Sequence, residues 1–176
     1  MAKVVLMTIG VLKAPSGDPQ VQGFEERAEA NFKAAEASPG FVDRSRFDEA
    51  TQTHTWKGRS QPRMFQDEKY NDLVPQTLSM WQDLESLFAF AYNGIHAEAL
   101  SKRKEWFTRI QSPTYVAWWV ADNHTPSWEE AYKRYDALHE TGSSPEAFDF
   151  KHPFGPDGQP IKINRAAVKE YITQHL

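Results

Sequence analysis

The sequence points to an α+β protein of ferredoxin-like plan, a βαββαβ antiparallel sheet that pairs with a second copy into a dimeric α+β barrel. Three observations carry this expectation. Strand-like and helix-like periodicities alternate in that order, two of the strands are apolar on both faces, and 176 residues suffice for one domain with its own core.

The first strand is Val4 to Leu12, with Val5, Met7, Ile9 and Val11 on one side and Val4, Leu6 and Leu12 on the other. Both of its faces need cover. After a loop punctuated by Pro15, Gly17 and Pro19, Val21, Phe24, Ala28, Phe32 and Ala35 recur at three- and four-residue steps and predict an amphipathic helix. Ser38-Pro39-Gly40 ends it, because proline disfavours helical geometry in the residue before it and glycine permits the turn. Phe41 to Phe47 reads as the second strand.

Asp48 to Pro75 is polar and without clear periodicity, yet holds Trp56, Met64, Phe65 and Tyr70. It reads as a long surface segment, either a lid over a pocket or an irregular hairpin. Thr77 to Trp81 is the third strand, and Asp83 suits the N-cap of a second helix whose stripe is Leu84, Leu87, Phe88, Ala91, Tyr92 and Ile95. Gly94 marks a bend or break, beyond which the helical period resumes through Ala99, Leu100, Arg103, Trp106, Phe107 and Ile110.

The fourth strand, Thr114 to Ala121, is again apolar on both faces: Tyr115, Ala117 and Trp119 alternate with Val116, Trp118 and Val120. Thr125-Pro126-Ser127 opens a third helix, with Glu129 and Glu130 at its positive end and Trp128, Ala131, Tyr132, Tyr135 and Leu138 as its stripe. Residues 1–150 are read as the barrel domain and 151–176 as a C-terminal extension that wraps the surface and carries a weak helix from Asn164. Helices in this plan cover one face of the sheet. The other would be left as an exposed apolar patch, so a homodimer is expected, with a hydrophobic pocket between helices and sheet in each protomer.

Composition removes several classes. With 40% hydrophobic and 25% charged residues the chain is not disordered, and without cysteine it has no disulfides, thiolate metal sites or cysteine nucleophile. The absence of cysteine agrees with a reducing compartment. Met1 to Leu12 lacks the long apolar region and cleavage site of a signal peptide, and no run approaches the roughly 18 apolar residues of a membrane span. A cytoplasmic protein is expected, with no membrane partner. A net charge of −4, from 20 basic and 24 acidic residues, argues against nucleic acid.

No Gly-x-Ser-x-Gly, Gly-x-Gly-x-x-Gly or phosphate-binding loop occurs, and His54, His96, His124, His139, His152 and His175 never fall at metal-binding spacing, so no metal is expected. His124 and His139 suit a turn and a helix C-terminus.

His96, Leu100, Arg103 and Phe107 stand at steps of four, three and four, which puts an imidazole and a guanidinium on one helical face. Tyr92 joins them if Gly94 leaves the helix intact. Such a pair offers a general base or acid and an oxyanion stabiliser. The alternative is that His96 packs locally and Arg103 makes a surface ion pair. Aromatic content of 13%, with six Trp, exceeds what a small core needs for volume. Trp81, Phe88, Leu100, Trp106, Phe107 and Trp119, with Phe65 from the 48–75 segment, are candidate substrate contacts, or else core filler. Trp118 and Trp119 point to opposite faces, so at most one meets a ligand.

The run from Ser79 to Leu87 (Ser-Met-Trp-Gln-Asp-Leu-Glu-Ser-Leu), Phe90-Ala91-Tyr92, His96-Ala97-Glu98, Arg103 to Phe107, Trp118-Trp119-Val120 and Pro145 to Phe148 together carry a resemblance. So do Ala14-Pro15, Ser38 to Phe41 and His124-Thr125-Pro126. The chain resembles an uncharacterised domain family of the dimeric α+β-barrel superfamily, related to antibiotic-biosynthesis monooxygenases, over most of residues 4–150.

That resemblance implies a small hydrophobic ligand between sheet and helices. It also implies a cofactor-independent enzyme acting on a hydrophobic or aromatic, natural-product-like substrate as oxygenase, cyclase or isomerase. Two alternatives stand beside it. A histidine on the second helix resembles the iron ligand of the superfamily's haem-degrading branch, which would make His96 a haem ligand. The third reading is a non-catalytic dimer that binds a hydrophobic ligand.

Overall fold

The computed structural model describes residues 1–174, so His175 lies outside the described residues. Its sheet contains β1 (Ala2–Ile9), β2 (Phe41–Arg44), β5 (Gln76–Trp81) and β6 (Tyr115–Ala121), all antiparallel, in the order β2-β5-β1-β6. Taking these four in chain order, the sheet runs 2-3-1-4, the ferredoxin-like arrangement. A separate two-stranded ribbon, β3 (Phe47–Asp48) with β4 (Thr53–His54), opens the 48–75 segment.

Register divides the side chains cleanly. Val4 lies opposite Trp81 and Trp119, and Leu6 opposite Ser79 and Ala117, on one face; Val5 lies opposite Met80 and Trp118, and Met7 opposite Leu78 and Val116, on the other. Three helices attend the Val4 face. These are α1 (Gln22–Ala37), which buries Ala35 there, α2 (Leu84–Ala91), which buries Leu84 and Leu87, and α3 (Gly94–Trp106), which packs along α1.

The Val5 face is where the structure departs from the expected uncovered apolar surface. This face is covered from within the chain, by α4 (Trp128–Thr141) and by Phe65 and Val74 of the 48–75 segment. Val5, Met7, Leu78, Val116 and Trp118 are all 1% exposed or less. The exposed apolar patch that argued for a second copy is therefore absent from this face. A third layer does the work, and it was available in the stripe of the third predicted helix. The same packing places Trp118 against α4, with its indole Nε1 donating to Glu130 at 2.9 Å.

Local chemistry sets the boundaries. Asp83 caps α2 by accepting from Ser86 N at 2.8 Å, Ser127 caps α4 by accepting from Glu130 N at 3.1 Å, and Asn164 caps α5 (Arg165–Thr173). The helical period spanning Gly94 is not one helix: α2 ends at Ala91 with Tyr92 as its C-cap, and Gly94 restarts α3 from a left-handed backbone at φ +57°. The second strand also stops early, at Arg44. A register shift between Phe41 and Asp43 bulges it, and Ser45 is then drawn inward, its N–H bonded to Leu78 O and its hydroxyl to Thr55 O.

Residues beyond 142 belong to the same body. Phe148 bridges to Ala117 at the β6 edge, Trp119 Nε1 donates to Phe154 O at 2.7 Å, and α5 lies on α2 with Tyr171 Oη donating to Asp83 Oδ2 at 2.7 Å. No helix among the described residues is long and apolar enough to cross a membrane.

Gly40 sits at φ +80° directly over Ser86, between α1 and β2, so a methyl group there meets both backbone strain and a steric clash. Gly40→Ala is expected to lower unfolding stability by about 1–3 kcal/mol, read as a shifted urea midpoint with an unchanged slope.

Candidate active site

The 48–75 segment is held against α4 by side chains at four-residue steps on that helix. Trp128 Nε1 donates to Ser45 Oγ at 2.9 Å, the Tyr132 hydroxyl both donates to Ser60 O and accepts from Ser60 N, and Asp136 and Glu140 pair with Arg63. Phe65 is driven beneath, 2% exposed, with its ring 5.2 Å from Tyr70 and 6.3 Å from Tyr135. Of the two readings of this stretch, lid or irregular hairpin, it is the second that stands here: the β3–β4 ribbon opens a segment that packs on α4 as a wall. Trp56 holds a left-handed backbone at φ +58° within it, a conformation that persists because its own carbonyl and that of Lys57 accept from Trp128 N.

Between this wall and α1 lies a cleft of about 990 Å³. It opens where β2 has left the edge of β5, so Gln76, the first residue of β5, forms part of its lining. Leu12, Phe24, Ala28, Val74 and Pro75 make an apolar side, and His54, Arg59, Gln61 and Gln76 a polar one. Glu25 of α1 also lines it, but its carboxylate is already committed to Gly17 N at 3.0 Å and to the Ser16 hydroxyl.

The polar side is unusual in what it lacks. His54 Nδ1, Arg59 Nε and Nη1, Gln61 Oε1 and Gln76 Oε1 are all shielded from solvent, and none has a hydrogen-bond partner among the described residues. Native proteins leave few such groups, and four residues gathered in one cleft call for a common cause. Asn31 Oδ1, on α1, is a further acceptor of this kind.

The Arg59 guanidinium lies 4.5 Å over the Trp128 ring, a stacked position without a carboxylate. Burial lowers its pKa, but a guanidinium keeps its proton at any physiological pH. His54 sits with its ring 5.4 Å from Phe47 and 6.1 Å from Trp128. Burial first, and the Arg59 charge second, push its pKa below the ordinary imidazole range, so it is neutral near pH 7. The arrangement is a neutral imidazole beside an uncompensated cation and free amide acceptors.

None of the site residues expected from sequence lines this cleft. His96 is packed on Phe90 at 4.8 Å, with its Nδ1–H donating to Ala91 O at 2.8 Å, and burial lowers its pKa. Arg103 is exposed and donates to Leu100 O on its own helix, so the structure does not bring it to His96. Tyr92, past the end of α2, packs on Phe88 and Phe150. Trp81 is fully buried, stacked on Phe90 with Nε1 donating to Ser79 Oγ. Trp106 and Phe107 pack around Phe24, Phe88 lies under Arg165, Trp119 is tied to Phe154, and Leu100 is half-buried on α3.

Tyr92 and Arg103 are exposed, and the other positions are buried or half-buried packing that does not frame a haem slot around His96. Among the described residues no three His, Cys, Asp or Glu side chains are placed to hold a metal ion.

A family described only as a domain of unknown function, DUF3291, matches residues 3–164. The chain belongs to that family. No curated protein matches it significantly in sequence. Among solved structures it is similar to a protein of unknown function from Nitrosomonas europaea (12% identity, 72% of this chain and 97% of that one, TM-score 0.45). It is similar also to a conserved protein from Methanosarcina mazei (12%, 68% and 92%, 0.43). A third is SnoaB, a cofactor-independent oxygenase from Streptomyces nogalater (10%, 71% and 97%, 0.41). Likenesses this distant say nothing about chemistry, so a functional assignment rests on the cleft itself.

The lowered pKa values of His54 and His96 have a consequence for stability. In the unfolded chain both titrate near pH 6.5 and in the folded protein lower, so below about pH 6.5 the unfolded state binds more protons and stability falls with acidification. The melting temperature is expected to drop between about pH 7.5 and 5.5, and the double variant His54→Gln, His96→Asn to show a smaller drop.

Proposed function

From membership of a family without an assigned activity, we propose that this chain is a small-molecule enzyme whose acid–base chemistry occurs in the α1 cleft, with His54 as the proton-transferring group and Arg59 as the oxyanion stabiliser. The observation that supports it is that His54, Arg59, Gln61 and Gln76, each with a buried polar atom that has no partner among the described residues, line one cleft together with apolar side chains.

A neutral imidazole takes a proton from an acidic C–H or O–H of the substrate, and the guanidinium stabilises the enolate or phenolate left behind. Returning the proton to a different atom gives an isomerisation, and attack of the enolate on a second carbonyl within the same substrate gives a cyclisation. Oxygenation of the anion would take dioxygen as co-substrate. Each route uses only groups of the chain and the reactants, which accords with a cofactor-independent enzyme. The apolar side of the cleft suits a hydrophobic or aromatic body.

The test is to incubate the protein with a metabolite extract and follow features consumed and formed by mass spectrometry, for the wild type, His54→Gln, His96→Ala and Arg103→Ala. Conversion by the wild type, reduced about 10²–10⁴-fold in His54→Gln and little changed in the other two, is the expected result. Conversion that survives His54→Gln but fails in His96→Ala would move the chemistry to α3, and no conversion at all would leave a binding protein.

A further inference from the structure

Arg59 is a half-buried guanidinium that lines the cleft, its Nε and Nη1 have no hydrogen-bond partner among the described residues, and it stacks 4.5 Å over the neutral ring of Trp128. Taking a cation out of water without a counter-charge is strongly unfavourable, and proteins normally offset it with a carboxylate. Among the described residues no carboxylate forms an ion pair with Arg59: of the two in the lining, Glu25 accepts through Oε1 from the Ser16 hydroxyl and Gly17 N, and Asp72 is exposed. Elsewhere on this surface arginines are paired. Arg44 and Arg46 share Glu36, and Arg63 has both Asp136 and Glu140.

Gln76 adds a second requirement. Its Nε2 donates to Ser60 O at 3.1 Å, which fixes the amide's orientation, so the unpartnered Oε1 is an acceptor. Gln61 supplies another unpartnered amide oxygen. A ligand that completes this site therefore brings negative charge for Arg59, a hydrogen-bond donor for the glutamines, and an apolar body for Phe24, Leu12 and Val74.

We propose that the cleft binds an organic carboxylate that also carries a hydroxyl group on an apolar, aromatic-sized body, with the carboxylate on Arg59 and the hydroxyl donating to Gln76 or Gln61. This rests on the cleft being the functional site and names its substrate class, and it gives Arg59 to the substrate's carboxylate in place of a developing oxyanion. It narrows the expectation of a purely hydrophobic ligand, because a neutral hydrocarbon would leave every one of these polar groups unpartnered.

Calorimetric titration with 3- and 4-hydroxybenzoate, benzoate and the neutral 4-hydroxybenzamide tests it. At least one hydroxybenzoate is expected to bind about tenfold or more tightly than the amide, and more tightly than benzoate. Arg59→Met is expected to abolish the preference for acid over amide, and Arg59→Lys, which keeps the charge, to retain part of it. His54→Gln is expected to keep that preference. Equal binding of acid and amide, a preference that survives Arg59→Met in folded protein, or no binding of any of these compounds up to about 10 mM would overturn the substrate class. Hydroxybenzoates no better than benzoate would remove the hydroxyl requirement.

The two readings fail separately. Arg59-dependent carboxylate binding without His54-dependent turnover sinks the catalytic reading alone. Turnover of neutral substrates only, dependent on His54, sinks the carboxylate alone.

Discussion

A central strand that is apolar on both sides must be covered twice, and the rest of this structure follows from how that is done. On the Val4 side the cover comes from α1 and α2 in the usual manner of the fold. On the Val5 side it comes from α4 and from a stretch of chain with no regular structure of its own. An irregular segment covers a sheet only if its backbone groups and its position are fixed by something else. Here Trp128, Tyr132, Asp136 and Glu140 fix it, one per turn of α4.

This docking is also what creates the cleft. Because Ser45 leaves the β2 ladder to meet Trp128, the edge of β5 beyond Leu78 is not covered by a strand, and the segment that returns past it carries His54, Arg59 and Gln61 to that edge. Arg59 over the Trp128 ring connects the two roles. The residue that anchors the wall also supports the one cation of the site that has no counter-charge. Structure and candidate chemistry depend on the same indole.

Much of the fold was legible. Alternation in Val4 to Leu12 and Thr114 to Ala121, the stop at Ser38-Pro39-Gly40, the Asp83 cap and the helix starts at Thr125-Pro126-Ser127 and Asn164 all act locally, and each lies within three residues of where the strands and helices stand. The cover of the second face was not read correctly, although the stripe of α4 was, because periodicity says that a helix has an apolar side and not which surface receives it.

The site was less legible still. His96 and Arg103 attracted attention because helical spacing pairs them, but Arg103 turns to solvent and Gly94 separates Tyr92 from both. His54 and Arg59 share no periodic relation, and only the unexplained aromatics of the 48–75 segment, Trp56, Phe65 and Tyr70, hinted that this stretch is packed and shaped. Whether ligand binds between Arg59 and Phe24 is read from a crystal structure of the protein carrying whatever small molecule it retains or takes up in a soak. Density bridging Arg59 and Gln76 is the expected result. Density under α3 against His96 and Phe90, with the α1 cleft holding only solvent, would contradict it.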